Sequence, residues 1–127
     1  MLGAYLVHNG AMKYHVDRSD DPDCKGYIYL GYINDVYAGG IMCVERGKDG
    51  VDIQYSSLEK AFKGVLTVRA VREIIKVIQK DFKYIFSRID NMNNISLRIA
   101  LNEGFHVIGT VSHDNKTAVE ILKVREE

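Results

Sequence analysis

The chain has 127 residues, 46% of them apolar, which is enough for one domain over 1–127 with a single substantial core and no staples. Seventeen basic residues balance seventeen acidic ones, so net charge argues for no nucleic-acid or anionic-membrane surface. No apolar run approaches the roughly twenty residues that cross a bilayer, and Cys24 and Cys43 make neither a zinc spacing nor a disulfide framework; the expectation is a cytoplasmic protein with free thiols and no metal.

Residues 1–16 carry Leu2, Tyr5, Leu6, Met12 and Val16 at loose helical spacing, and the acidic run 17–23 ends them; one or two short helices are expected there. Residues 27–33 and 36–45 are rich in β-branched and aromatic side chains and flank the turn pair Asn34-Asp35, which predicts two antiparallel strands. A second turn at Gly47-Lys-Asp-Gly50 leads into 51–55, where Val51, Ile53 and Tyr55 are expected on one face and Asp52 and Gln54 on the other. These three strands form a meander.

The period then changes. From Val65 onward Val68, Val71, Ile74, Ile75, Ile78 and Phe82 make one stripe, while Arg69, Arg72, Glu73, Lys76 and Lys80 face away, which predicts a long amphipathic helix. An apolar strand at 84–89 follows. Residues 91–105 read as a polar opening, a helix carrying Ile95, Leu97, Ile99, Ala100 and Leu101, and a Gly104-Phe105 stop, with Asn93 or Asn94 placed to cap the helix. Strands at 105–111 and 117–124 close the chain around a turn at 113–116. The order βββ-α-β-α-ββ implies an α+β fold: a strand, helix and parallel strand crossing right-handed inside an otherwise antiparallel sheet.

In this order the chain resembles the GNAT superfamily of acyl-coenzyme A N-acyltransferases over residues 27–124. The resemblance implies a mixed, mainly antiparallel twisted sheet with a central helix and, here, a shortened N-terminal region. In that family the loop before the central helix reads Arg/Gln-x-x-Gly-x-Gly/Ala, and its amides hold the coenzyme A pyrophosphate at a helix N-terminus. The matching segment is Ala61-Phe-Lys-Gly-Val-Leu66 followed by Thr67, so the resemblance places acetyl-CoA against Lys63, Gly64, Val65, Leu66 and Thr67. Ala61 stands where arginine or glutamine is usual, and Leu66 where a small residue lets phosphate approach. The second motif, an asparagine, a small residue three later and then Gly-Phe, is met by Asn93, Ser96 and Gly104-Phe105; it implies that Asn93 orients the pantetheine arm, with Asn94 as the alternative register. Ala100 occupies the position of the family's thiolate-protonating tyrosine.

Transfer to an amine needs a base, and Asp52 is the acidic residue on the strand that commonly supplies it. Asp52 and Gln54 read more simply as the solvated face of a meander strand. Glu59 is further along, His106 and His113 fit edge or surface positions, and Cys43 fits a packed small hydrophobe. The segment 96–105 is also similar to short acetyltransferase-like head-assembly and internal virion proteins of tailed phages. Two functions therefore stand open. One is an acetyl-CoA-dependent N-acetyltransferase of unnamed amine acceptor. The other is a non-catalytic assembly module, in host cytoplasm or virion, that pairs with itself or with phage proteins through strand edges or through Tyr27, Tyr29, Tyr32, Tyr37 and Tyr55.

Overall fold

A computed structural model describes residues 5–7, 12–15, 24–33, 35–58 and 65–126. In chain order the elements are β1 (Tyr5–Val7), β2 (Met12–His15), β3 (Lys25–Ile33), β4 (Val36–Glu45), β5 (Gly50–Leu58), α1 (Val65–Asp81), β6 (Tyr84–Asp90), α2 (Asn94–Asn102), β7 (His106–His113) and β8 (Lys116–Val124). The expected α+β order holds from β3 onward.

The N-terminal expectation does not. In place of helices, β1 and β2 both lie antiparallel along β3, with Tyr5 opposite Ile33 and Met12 opposite Ile28. The physical reason is the outer edge of β3, whose unpaired amides and carbonyls are satisfied by any short extended segment that reaches them. Sparse apolar spacing in residues 1–16 supplies no stripe strong enough to compete.

The strands join one mixed sheet of order β1-β3-β4-β5-β6-β8-β7, with β2 also on β3. All described pairs are antiparallel except β5 with β6. Helix α1 makes the crossover between those two parallel strands. One sheet face presents Tyr29, Ile41, Cys43, Val51, Ile85 and Ile121 to Ile74, Ile75 and Ile78 of α1 and to Ala100 of α2. That face is the core. Tyr29 is fully buried, and its hydroxyl donates to Asp81 at 2.8 Å, tying β3 to the end of α1. Both helices share this face and are linked by Arg72 and Glu103 at 3.0 Å. Among the described residues no helix covers the opposite face.

Helix α2 begins and ends as its sequence implies. The Asn93 side-chain oxygen accepts from the Ser96 amide at 3.2 Å, and Gly104 adopts φ 95° just past the last turn. A side chain there would be strained, and a Cβ would come within 2.7 Å of Lys123 Nζ, whose ammonium donates to the Glu103 carbonyl. Phe105 then enters the core. The β7–β8 hairpin turns on Asp114 and Asn115, both at positive φ.

Candidate active site

The parallel seam between β5 and β6 is short. Gly50 faces Tyr84, Val51 faces Ile85, Asp52 faces Phe86 and Ile53 faces Ser87, and there the pairing stops. Both strands continue: β5 stays on β4 as far as Leu58, and β6 stays on β8 as far as Asp90. Past Ile53 and Ser87 the two strands therefore part, and a wedge opens in the middle of the sheet. The inner edge of β5 beyond Ile53 is paired to no strand among the described residues, so its backbone groups face the wedge.

A bulge fixes where the wedge begins. Cys43 is opposite Ile53, but Met42 is opposite Tyr55, so Gln54 is an extra residue on β5. The extra residue bends the strand and reverses its alternation. The expectation that Tyr55 shares a face with Val51 and Ile53 is corrected here: Tyr55 lies with Met42 on the face away from the helices and is 60% exposed. A one-residue insertion in pairing carries every later side chain to the other face.

Asp52 lies on this same face, opposite Val44 on one side and Phe86 on the other. Its side chain is only 16% exposed and sits 3.6 Å from Arg46 Nη1, a contact too long for a hydrogen bond. Arg46 also reaches Glu120 at 3.3 Å and stacks 3.9 Å over the Phe86 ring, while Arg88 donates to Glu120 at 3.1 Å. Burial pushes the Asp52 carboxyl above the usual carboxylate range; the Arg46 and Arg88 charges work against that shift, and Glu120 adds to it. Burial also acts to raise Glu120, yet its hydrogen bonds from Arg88 and Arg46 outweigh burial and hold it low. Asp52 is thus the less firmly ionised of the two carboxyls. Arg46, Arg88 and Glu120 were not legible as its neighbours, because only the strand register brings them together.

The remaining sequence-derived positions divide by location. Val65, Leu66 and Thr67 form the first turn of α1, so their backbone amides belong to a helix N-terminus. Lys63, Gly64, Ala61 and Glu59 lie outside the described residues. Asn93, not Asn94, is the cap of α2; its carbonyl oxygen is used by Ser96, while its NH2 is not engaged in that bond. Asn93 also lines an open depression of about 730 Å³ together with Asp90, Asn91, Met92, Lys116 and Thr117, at the end of the sheet toward which the wedge widens. Ala100 is buried in the core cluster and carries no proton donor. His106 is exposed on β7, and His113 ends that strand. Cys43 is fully buried, and burial pushes its thiol up to about 12, which makes it a packing residue. The tyrosines separate in the same way: Tyr29 is core, whereas Tyr37 and Tyr55 are exposed.

No family model and no curated protein sequence matches the chain. Solved structures do match its fold. An acetyltransferase from Bacillus subtilis in complex with CoA superposes with a TM-score of 0.67 at 14% identity, covering 80% of this chain and 78% of its own. A GNAT family acetyltransferase from Elizabethkingia anophelis with acetyl-CoA bound gives 0.65 at 11% identity, covering 79% and 76%. The aminoglycoside acetyltransferase AAC(6')-Ib in complex with coenzyme A and kanamycin gives 0.66 at 19% identity, covering 79% and 67%. The architecture is that of the GNAT acetyltransferases. Among the described residues no helix is long and apolar enough to cross a membrane.

Proposed function

We propose that the protein binds acetyl-CoA in the wedge between β5 and β6 and transfers the acetyl group to an amine. The observation that carries this reading is the end of the β5–β6 pairing at Ile53 and Ser87 while both strands continue, since an extended thioester arm needs such a gap. Solved proteins with this fold hold CoA or acetyl-CoA, which supports the same ligand here.

The bound coenzyme supplies an acyl group activated as a thioester. Residues of this chain do the rest. Backbone amides of Val65, Leu66 and Thr67, preceded by Lys63 and Gly64, favour the pyrophosphate through the positive end of α1. The free NH2 of Asn93 donates to the pantetheine amides. The unpaired β5 edge beyond Ile53 offers backbone donors to the carbonyl oxygen on which charge develops. Asp52 accepts the proton lost by the amine as its nitrogen bonds to the acyl carbon; the carbon–sulfur bond breaks, and the departing thiolate takes a proton from solvent, because Ala100 has none to give. Burial of Asp52 favours this role, since a base whose proton affinity is raised is the better acceptor.

A second reading rests on the Arg46 charge that faces Asp52 and on the missing donor at Ala100. In it the fold is a non-catalytic assembly module of the phage head or virion type, acting through protein contacts with itself or with other phage proteins. Calorimetric titration with acetyl-CoA separates the two. Saturable heat, with a rise in thermal midpoint, supports the acetyltransferase. No heat and no thermal shift at millimolar ligand sinks it and leaves the assembly module.

A further inference from the structure

The face of the sheet away from the helices carries more than Asp52. Gly40 on β4 has no room for a side chain there: a Cβ at this position would lie 2.9 Å from the Tyr29 carbonyl oxygen, 3.2 Å from Leu30 Cδ2 and 3.5 Å from the Tyr37 hydroxyl, so Leu30 and Tyr37 close over its backbone. The Tyr37 ring is therefore folded over that face, braced edge-on by Tyr32 with ring centroids 6.0 Å apart. Along β4 the next residue on this face is Met42, which sits directly opposite Tyr55. Tyr37, Met42 and Tyr55 are all exposed on this face, so they make a shallow apolar saddle, with Tyr37 and Leu30 closed over Gly40 at one end and Met42 beside Tyr55 at the other.

The saddle and Asp52 lie along one line. Asp52 is opposite Val44 and Tyr55 is opposite Met42, so the two β5 residues are separated by two steps of β4, roughly 7 Å. Without the bulge at Gln54 the Tyr55 ring would point into the core face, away from Asp52. The bulge that opens the wedge is also what sets an aromatic ring beside the candidate base.

We propose that this saddle is the acceptor subsite and that it selects a primary amine with an aromatic body, the ring seated against Tyr37, Met42 and Tyr55 and the nitrogen extended toward Asp52. Phenol faces and a thioether favour flat apolar groups and the cationic form of an amine approaching them. The two carboxyls on this face, Asp52 and Glu120, are both engaged by Arg46, and Glu120 by Arg88 as well, so they leave no uncompensated row of negative charge for a polyamine or an aminoglycoside. This inference names the acceptor class for the activity proposed above and rests on that reading for its catalytic meaning, but the binding itself needs no turnover.

The test is titration of the protein with 2-phenylethylamine, with spermidine as the comparison, followed by ligand-observed saturation-transfer NMR and run both without and with CoA. The expected result is saturable phenylethylamine binding that exceeds spermidine binding, weakens about tenfold in Tyr55→Ala, and is retained in Tyr55→Phe, which keeps the ring face. Tyr55 is exposed, so both variants should fold with an unchanged thermal midpoint. Equal binding by the wild type and Tyr55→Ala, a preference for spermidine, or no phenylethylamine binding in either condition overturns the proposal. Failure to bind acetyl-CoA in the separate titration would overturn the transferase reading and leave the amine result to be judged by itself.

Discussion

Replacing Cys43 by alanine should flatten the alkaline edge of the protein's stability curve. Cys43 has an ordinary thiol value of 9.0 and is pushed up to about 12 by burial, with Asp52 adding to the shift. The sign follows from proton counts: above pH 9 the unfolded chain releases this proton while the folded chain keeps it, so stability is complete below pH 9 and falls as pH rises toward 12. At pH 10 the unfolded thiol is mostly ionised and the folded one is not, so the loss relative to pH 7 is about 1.4 kcal/mol from this group. Urea unfolding followed by circular dichroism at pH 7, 8.5 and 10, with reductant present, gives the curve. Cys43→Ala itself should cost about 1 kcal/mol at every pH by removing a buried atom, so the diagnostic quantity is the slope. Tyr29, also raised by burial and by its hydrogen bond to Asp81, starts from 10.0 and contributes mainly above that pH. An identical fall between pH 8.5 and 10 in wild type and variant would refute the assignment. The site is informative for function because Cys43 pairs with Ile53, the last β5 residue on the parallel seam.

Asp52→Asn should lower kcat for acetyl transfer at least tenfold while leaving acetyl-CoA affinity within about twofold, and it should abolish an acid limb of the rate profile that lies above the usual carboxylate range. Steady-state rates from pH 5 to 9 check both. Asn93→Ala removes a helix cap and should cost about 1 kcal/mol in urea unfolding; calorimetry should show weaker CoA binding as well, and affinity equal to wild type would free Asn93 of any ligand role. Gly104→Ala forces a side chain into the left-handed region against Lys123 and should destabilise by about 1 kcal/mol or more in the same unfolding assay.

The helices and most strands were legible because each carries its own period. The stripe of Ile74, Ile75 and Ile78 is buried as its spacing requires, and Asn93 and Gly104 bound α2 at its two ends. Residues 1–16 misled because extended structure there comes from a partner edge on β3, which leaves little trace in local spacing. Strict alternation in 51–55 misled for a related reason: the bulge is set by pairing with β4, and nothing within Val51-Asp-Ile-Gln-Tyr55 marks Gln54 as the extra residue. The same limit applied to α2, where apolar spacing promised burial but Ile95 is 76% exposed, because only Leu97 and Ala100 turn toward the core. Asp52 was found by its residue type. Its company of Arg46, Arg88 and Glu120 comes from three further segments and needed the sheet order to be seen.

The sheet is mechanically two antiparallel blocks, one ending at β5 and the other starting at β6, and the strand pairing between them among the described residues is four residue pairs long, with Arg46 reaching across to Phe86 and Glu120. Such a seam is the natural place for the blocks to rock against each other, with the fully buried Ile85 and Val51 as its fulcrum. A ligand lodged in the wedge would touch both blocks and behave as a clasp. Amide hydrogen exchange should then slow on both sides of the seam together upon binding, an outcome that a ligand resting on a single block would not produce.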